Sequence, residues 1–316
     1  MQKFILTSLL AVSLAACGQS NVTAQAADEP AQKSPAKSKP AKSNPAKSNL
    51  TVEELGGGFF VLFGPGGNIG VSVGEDGVYV VDDKFERLGQ DIIDTIGGLT
   101  DQPIRFVHNT HHHGDHTGAN AKMREIGATV IAHDNVYERM SKSFPSQRAK
   151  SGKSKPAPAD RWPNMTFSDK LTLHFNGQTV RAIHIPAAHT AGDSIIVFEQ
   201  ANIIHMGDNY FNGIFPFVDV DGGGNSVGMI AAQDLALSLA NAETKIIPGH
   251  GVMASKADLQ ASRDILADIQ GIVKARMDKG ESLEAIIKAR PLEKYADMSS
   301  FIDEDNMIRS VYRSLK

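Results

Sequence analysis

Cysteine is nearly absent from this chain, which has one, Cys17, in 316 residues. A single thiol excludes an intramolecular disulfide. A large excess of one charge is also lacking, because the formal net charge is only −4. No overall basic field therefore indicates nucleic acid as a partner. Long apolar runs are missing too, since the stretch 4–16 is too short to span a bilayer as a helix. With 29 glycines and 14 prolines for turns, the chain is typical of a globular protein of mixed α/β class.

The N-terminal apolar stretch has the form of a signal peptide. It follows Lys3 and ends in Leu14-Ala15-Ala16-Cys17, which resembles the bacterial lipobox, where the cysteine is lipidated and becomes the first mature residue. An ordinary small-residue cleavage site with an incidental cysteine is the alternative. The lipobox predicts a signal peptide at residues 1–16 and a lipid anchor on Cys17. Gly18, rather than aspartate, follows the cysteine, which favours a periplasm-facing lipoprotein of the outer membrane in a Gram-negative host.

Residues 17–50 are poor in apolar side chains and repeat Pro-Ala-Lys-Ser three times in close succession. Such a segment cannot bury enough apolar surface to form a core. Its lysines give the segment a net positive charge. It therefore either binds anionic lipid or cell wall or serves as a spacer without a partner. We therefore predict a disordered tether at residues 17–50 and a folded domain at 51–316, whose tail from residue 292 packs on the core as a helix.

Strand and helix patterns alternate along the folded region. Two β-rich runs between residues 58 and 83, separated by Gly64-Pro65-Gly66-Gly67, predict consecutive antiparallel strands. Helical spacing of apolar residues then alternates with short apolar runs. The predicted strands are 104–107, 129–132, 171–175, 180–185, 194–198, 202–206 and 245–247, and the predicted helices are 86–96, 117–126, 226–240 and 256–279.

Seven residues able to bind a metal follow the ends of predicted strands. They are His111, His113, Asp115, His116, His189, Asp208 and His250. Open α/β sheets place ligand sites just beyond the carboxyl ends of their strands, so four separate segments can converge on one edge. Zinc binds imidazole nitrogen and carboxylate oxygen. The pattern His-x-His-x-Asp-His arises by chance roughly once in a thousand such chains, so a surface histidine patch is a poor explanation.

The remaining histidines receive a structural interpretation. Imidazoles within or beside strands usually pack in the core or form hydrogen bonds. The residues interpreted in this way are His108, His133, His174 and His184, and the sequence leaves His112 and His205 undecided.

The motifs as they stand resemble those of the metallo-β-lactamase superfamily over about residues 52–279. They are His111-x-His113-x-Asp115-His116, His189-Thr-Ala-Gly-Asp, Met-Gly-Asp208 and Pro-Gly-His250-Gly, with Val80-Val81-Asp82 resembling the family's strand-end aspartate. The resemblance implies an α/β fold in the form of a four-layer αββα sandwich. It also implies a centre of two Zn²⁺ ions that share a bridging water or hydroxide, at one edge between the sheets.

The resemblance also implies a role for each residue. His111, His113 and His189 would hold the first zinc, Asp115, His116 and His250 the second, and Asp208 would bridge both. Asp82 would support the metal loop from behind. Asp115 would orient the nucleophile or accept its proton, and Tyr210 would donate a hydrogen bond to the oxyanion, although aromatic packing explains this tyrosine equally well.

The function predicted from this resemblance is a zinc-dependent hydrolase that attacks the carbonyl of a small-molecule ester, lactone, thioester or lactam. In having an aspartate at the bridging position, the chain is similar to the glyoxalase-like and lactonase-like members. It has no lysine shortly after Asp208 that could bind the carboxylate of a β-lactam. The alternatives are a true periplasmic β-lactamase, a persulfide dioxygenase with a single iron, and a lipoprotein that binds metal without turnover.

Two further segments are predicted to shape the pocket. One is the turn from Gly64 to Asn68, and the other is a polar, basic insertion at about residues 141–163, which contains Trp162, the chain's only tryptophan. Such a long loop either caps an anionic substrate or is merely solvated. No chemistry is assigned to the tail at 292–316.

The lipobox gives a direct prediction for Cys17→Ser. A lipid on the cysteine supplies the anchor, so the wild-type protein should fractionate with membranes and the variant should appear as unprocessed or soluble material. Immunoblots of membrane and periplasmic fractions measure this. Wild-type protein that is already soluble in the periplasm would contradict the lipobox.

Overall fold

Successive side chains of the early strands pack into two different apolar clusters. In the computed structural model, which describes residues 49–146 and 150–316, Val61 packs between two sheets whereas Leu62 packs against helices. Val81 and Val80 divide in the same way. Because side chains alternate across a strand, a strand that is apolar at every position is buried on both faces. This sheet is therefore an inner layer of the fold.

Two sheets form the inner layers. The strands are β1 (Thr51–Gly56), β2 (Phe59–Phe63), β3 (Ile69–Gly74), β4 (Gly77–Val81), β5 (Ile104–His108), β6 (Thr129–His133), β7 (Met165–Phe167), β8 (Lys170–Phe175), β9 (Gln178–Ile185), β10 (Asp193–Phe198), β11 (Ile203–His205) and β12 (Lys245–Ile247). The first sheet has the order β1 to β7, and the second has the order β12-β11-β10-β9-β8. The meander β1 to β4 is antiparallel, which confirms the prediction for β2 to β4, and β4 to β7 run parallel.

Helices cover the outer faces of both sheets. They are α1 (Gly89–Leu99), α2 (Gly114–Thr117), α3 (Asn120–Glu125), α4 (Asp134–Ser141), α5 (Ser226–Leu239), α6 (Lys256–Asp278), α7 (Leu283–Lys288) and α8 (Glu304–Ser314). Ile92 of α1 and Met123 of α3 pack on the first sheet, and Ala236 of α5 and Leu259 of α6 pack on the second. The arrangement is helix, sheet, sheet, helix, and the predicted four-layer fold class is confirmed.

The C-terminal tail differs from its prediction. Within it Glu293–Met298 forms a 3₁₀ helix and Glu304–Ser314 an α-helix, and Leu292 and Ile302 pack in an apolar cluster with α6. The predicted helix at 117–126 is confirmed as the shorter α3, and Thr117 ends the separate turn α2. Among the elements that were not predicted are β1, α4, β7 and α7. β1 is largely exposed, α4 buries only Val136 and Met140, α7 buries only Ile286, and β7 is three residues long at an edge.

Some predictions fall outside the described residues. They concern the signal peptide at 1–16, lipidation of Cys17 and nearly all of the tether. Within residues 49–146 and 150–316, no helix combines the length and the apolar character needed to cross a membrane.

Candidate metal centre

Five strand ends point to one edge of the sandwich. β9 and β11 are both antiparallel to β10 and so run in the same direction, and β12 is parallel to β11. β4 and β5 of the other sheet are parallel to each other. The segments that follow these ends carry the candidate ligands, which are Asp82 after β4, residues 111–116 after β5, His189 after β9, Asp208 after β11 and His250 after β12.

The seven predicted ligands gather into two groups. His111, His113, His189 and Asp208 have ligand atoms that all lie within 4.8 Å of one another. Asp115, His116 and His250 form a second group by the same measure. Each group draws on loops of both sheets, so neither sheet completes a site alone.

The first group brings three imidazole nitrogens together. Nδ1 of His113 lies 3.1 Å from Nε2 of His111 and 3.0 Å from Nε2 of His189. Oδ2 of Asp208 lies 3.4 Å from the same nitrogen of His189. Ligands of a tetrahedral ion with bonds of 2.0–2.1 Å are about 3.3 Å apart. The spacing of these four atoms fits one tetrahedral ion.

The second group lies on the other side of Asp208. Oδ2 of Asp115 lies 3.4 Å from Nε2 of His250 and 3.7 Å from Nε2 of His116. Oδ1 of Asp208 lies 3.1 Å from Nε2 of His116. Oδ2 of Asp208 lies 3.4 Å from Nε2 of His189 in the first group and also 3.4 Å from Nε2 of His250 in the second, so the carboxylate lies between the two groups.

In each fully buried histidine of the two groups, the ring nitrogen that points away from the other ligands has a partner. Nδ1 of His116 lies 2.7 Å from Oδ2 of Asp82, and Nδ1 of His189 lies 2.7 Å from the carbonyl oxygen of Phe217. Nδ1 of His111 lies 3.1 Å from the hydroxyl of Thr110. Such contacts fix the ring orientation and leave the other nitrogen for a metal.

Asp82 connects the metal loop to the first sheet. It has a positive φ of 63°, a conformation that aspartate tolerates better than most residues. Its carboxylate accepts hydrogen bonds from the backbone N–H of Thr110 at 2.7 Å and from the hydroxyl of Thr110 at 2.8 Å, besides its contact with His116. The supporting position predicted for Asp82 matches these contacts.

Two glycines allow the loops to approach one another. A Cβ on Gly67 would lie 2.1 Å from the ring of His116, and a Cβ on Gly249 would lie 2.1 Å from Oδ1 of Asp208. The turn at residues 64–68 thus packs directly behind the second group. Asn68 ties the turn to the loop of His250, donating from its amide to the carbonyl oxygens of Pro248 at 3.0 Å and Gly251 at 2.8 Å.

The carboxylates and imidazoles of the site shift one another's pKa values, and burial acts against these shifts. Burial raises the pKa of Asp208, but His116 and His250 outweigh it and hold that pKa well below its usual value. Burial lowers the pKa of His250, yet Asp208 and Asp115 raise it to about 9. Burial dominates at His189, where it lowers the pKa to about 4. The carboxylates are therefore ionised at neutral pH and require cationic partners.

Two buried atoms fit a bound cation. Among the described residues, Oδ1 of Asp208 and Nε2 of His116 are buried and have no hydrogen-bond partner of adequate geometry. An unpartnered buried carboxylate oxygen is costly. A metal ion between the two atoms would satisfy both, and the donor set of imidazole and carboxylate is one that zinc prefers.

Asp219 is a functional residue that sequence reasoning missed. Its Oδ2 lies 2.9 Å from Nε2 of His113, and its Oδ1 accepts a hydrogen bond from the backbone N–H of Gly222 at 3.0 Å. The backbone N–H of Asp219 donates to the carbonyl oxygen of His189 at 3.0 Å. Asp219 thus positions two predicted ligands. Its only signal in the sequence is its place before Gly222-Gly223-Gly224, which indicates a tight loop but no partner.

Tyr210 lies apart from both groups. Its ring is buried in the cluster between the second sheet and α5, and its hydroxyl donates to the side-chain oxygen of Asn212 at 3.0 Å. Burial raises the pKa of Tyr210 well above its usual value. These contacts match the packing interpretation, and the structure does not bring the hydroxyl to the metal pocket, whose lining excludes Tyr210.

The other histidines lie around the site or far from it. Nε2 of His112 is 3.8 Å from Oδ2 of Asp219, and Nε2 of His205 is 3.2 Å from the carbonyl oxygen of Asn68. Three of the four histidines interpreted as structural fit that interpretation: His108 is hydrogen-bonded to the hydroxyl of Tyr79, and the rings of His133 and His184 stack on each other. The fourth, His174, is exposed on β8.

The two groups open into a pocket of 380 Å³. Its lining consists of His113, Gly114, Asp115, Asp208, Phe217, His250 and Phe301. A second pocket of 330 Å³ adjoins it at His113 and is also lined by Arg139, Lys155 and Arg161. The described part of the basic insertion therefore lines a cavity next to the site, while Trp162 packs against Met140 and Tyr137. That the insertion caps a substrate stays a prediction.

Known proteins share this architecture. The family model described as Metallo-beta-lactamase superfamily matches residues 62–250, and no curated protein matches the chain. The metallo-beta-lactamase from Pontibacter korlensis is 15% identical, with a TM-score of 0.57 over 69% of this chain and 99% of its own. The DIM-1 metallo-beta-lactamase is 17% identical, with a TM-score of 0.55 over 70% of this chain and 98% of its own.

A sulfatase is similar as well. The stereoselective inverting sec-alkylsulfatase Pisa1 from Pseudomonas sp. is 17% identical, with a TM-score of 0.63 over 83% of this chain. The match spans 50% of the length of that enzyme. At these identities the structural likeness establishes the fold and leaves the substrate open.

The contacts of Asp219 predict the effect of Asp219→Asn. Loss of the charged acceptor behind His113 should weaken zinc affinity about 10- to 100-fold, with the fold retained. Competition titration against a chromophoric chelator measures this. Asp234→Asn, which alters an exposed aspartate of α5, is the matched control. Equal zinc affinity in Asp219→Asn and wild type would show that Asp219 does not position His113.

Proposed function

This chain belongs to the metallo-β-lactamase superfamily, whose members are mostly hydrolases, and we propose that it is itself a hydrolase with two zinc ions. His111, His113 and His189 would hold one ion, and Asp115, His116 and His250 the other. Asp208 would bridge them.

The observation that carries the proposal is the position of Asp208. The carboxylate is 5% exposed and lies between the two groups, with Oδ1 towards His116 and Oδ2 equally close to His189 and His250. Seven ligand side chains exceed what one tetrahedral ion requires. A site for two ions with a shared carboxylate accounts for all seven.

The ions, when bound, would lower the pKa of water and polarise a carbonyl oxygen. The protein's own part is to orient the reactants and manage the proton. Asp115 is partly exposed and lines the pocket, and its pKa is lowered to about 2, since His116 and His250 outweigh the effect of burial. It is therefore ionised at neutral pH and able to orient a nucleophilic water by accepting a hydrogen bond.

The substrate proposed is a small ester, lactone or thioester, and β-lactams are proposed as poor substrates. The lining of the metal pocket contains no lysine or arginine to pair with the carboxylate of a β-lactam. Lys155 and Arg161 line only the adjoining pocket, beyond His113. That position supports an anionic group at the far end of the substrate rather than beside the scissile bond.

We also propose a subcellular location for the protein, on the basis of its sequence. Cys17 would carry the lipid anchor, residues 17–50 would form the tether, and the folded region would face the periplasm from the outer membrane.

Metal stoichiometry tests the bridging role of Asp208. Wild-type protein purified without chelator should contain close to two zinc equivalents, and Asp208→Asn close to one, with turnover lowered at least about 100-fold. Mass spectrometry of the bound metal and ester or lactone hydrolysis measure these effects. Asp264→Asn on the exposed face of α6 is the control. One equivalent or mainly iron in the wild type, or full turnover by Asp208→Asn at saturating zinc, would refute the dinuclear assignment.

Substrate preference is tested by comparing kcat/KM values. A charge pair to the substrate carboxylate is worth two or three decades, roughly, in kcat/KM. Because no lysine or arginine lines the metal pocket, penicillins and carbapenems should be hydrolysed measurably but weakly, and an ester, lactone or thioester should be better. A β-lactam kcat/KM near about 10⁶ M⁻¹s⁻¹ would instead make the protein a true β-lactamase.

A further inference from the structure

Phe301 is an exposed aromatic residue at the metal pocket. Its side chain is 56% exposed, although its ring centroid lies 5.9 Å from that of His250 and 5.8 Å from that of Phe211. Phe211 is 2% exposed and stacks on His250 at 5.1 Å. Phe301 therefore rests on an aromatic base beside a predicted metal ligand and leaves most of its own surface open.

The C-terminal tail presents Phe301 to the site. Its neighbour Ile302 is 5% exposed and packs in the cluster formed with α6 and α8. The preceding segment is anchored by a backbone hydrogen bond of 2.8 Å from Phe215 to the carbonyl oxygen of Met298. Since burial of Ile302 fixes the chain on its inner side, the ring of Phe301 is left on the side of the metal pocket.

Phe217 is the second aromatic residue of this pocket. Its ring stacks on His113 with centroids 5.8 Å apart and planes at 29°, and its centroid lies 5.6 Å from that of His189. Its carbonyl oxygen is the partner of Nδ1 of His189. The ring is therefore held in place by two predicted ligands.

The lining of the pocket therefore combines polar and apolar groups. Asp115, Asp208 and His250 contribute the polar groups, and Phe217 and Phe301 contribute aromatic rings beside them. Both phenylalanines also line a further cavity of 360 Å³, to which Leu283 and Ile302 contribute. The two rings thus stand between the metal pocket and additional space that is partly apolar.

We propose that Phe217 and Phe301 form a subsite for an apolar acyl group, a linear alkyl chain of about four or more carbons or an aryl group, attached to the scissile carbonyl. The inference rests on the proposed hydrolase function, because the carbonyl must lie at the polar groups. Covering an exposed phenyl ring with an apolar chain removes apolar surface from water on both partners, and each further buried CH₂ strengthens binding. Single exposed apolar residues are ordinary on protein surfaces, but here two aromatic rings line the same pocket as the predicted metal ligands.

The first arm of the test measures binding. Isothermal titration of the zinc-loaded full chain should show hexanoate binding at least about tenfold more tightly than acetate, because its longer chain reaches the two rings. Phe301→Ala should lose most of this difference, and Phe301→Leu, which keeps an apolar side chain, should retain part of it. Val227→Ala on α5 changes a residue of similar exposure, 51%, and should behave as wild type.

The second arm measures turnover of hexanoyl and acetyl esters. The ratio of their kcat/KM values should fall about tenfold in Phe301→Ala. Protein that binds hexanoate selectively but hydrolyses no ester, lactone or thioester would refute the proposed hydrolase while supporting an apolar subsite. Equal affinity for the two carboxylates, or an undiminished difference in Phe301→Ala, overturns the subsite whatever the turnover.

Discussion

The burial of one carboxylate among imidazoles is the constraint on which the rest of the site depends. Asp208 is almost inaccessible and would be costly there without cationic partners. Histidines from both sheets surround it, with His116 from the loop after β5 and His250 from the loop after β12. The two groups of ligands exist only where the edges of the sheets meet. The electrostatic requirement of a single residue thus links the two halves of the sandwich.

Close backbone approach makes this arrangement sterically feasible. Gly67 and Gly249 leave no room for a Cβ beside His116 and Asp208. Lys84, fully buried, donates to the carbonyl oxygen of Gly67 at 2.5 Å, and burial lowers its pKa to about 8. The ligand loops are therefore held by backbone contacts and polar bonds from behind, which leaves their forward side open. Support of this kind holds candidate ligands in position before a metal binds.

The open side of the candidate site combines two kinds of side chain. Ionised groups line the pocket together with Phe217 and Phe301, which come from elements outside the central sandwich. One fold can serve many functions because peripheral segments alter the surroundings of a common site. The tail, to which the sequence assigned no chemistry, supplies one of the two rings, because the packing of Ile302 turns its neighbour towards the pocket.

The sequence by itself determined the candidate ligands, their position after strand ends and the fold class. Those features are local, since apolar runs of period two, turn glycines and side chains able to bind metal can be recognised in a short stretch of sequence. The helix and strand predictions were accurate for α6 and β9 and too long for α3, which covers Asn120–Glu125 of the predicted 117–126. Only the tertiary structure decided that Asp219 supports His113, that Tyr210 packs away from the pocket and that Phe301 lines it. These are contacts between residues distant in the chain, and no local pattern specifies which side chain a loop will meet once the sheets have packed.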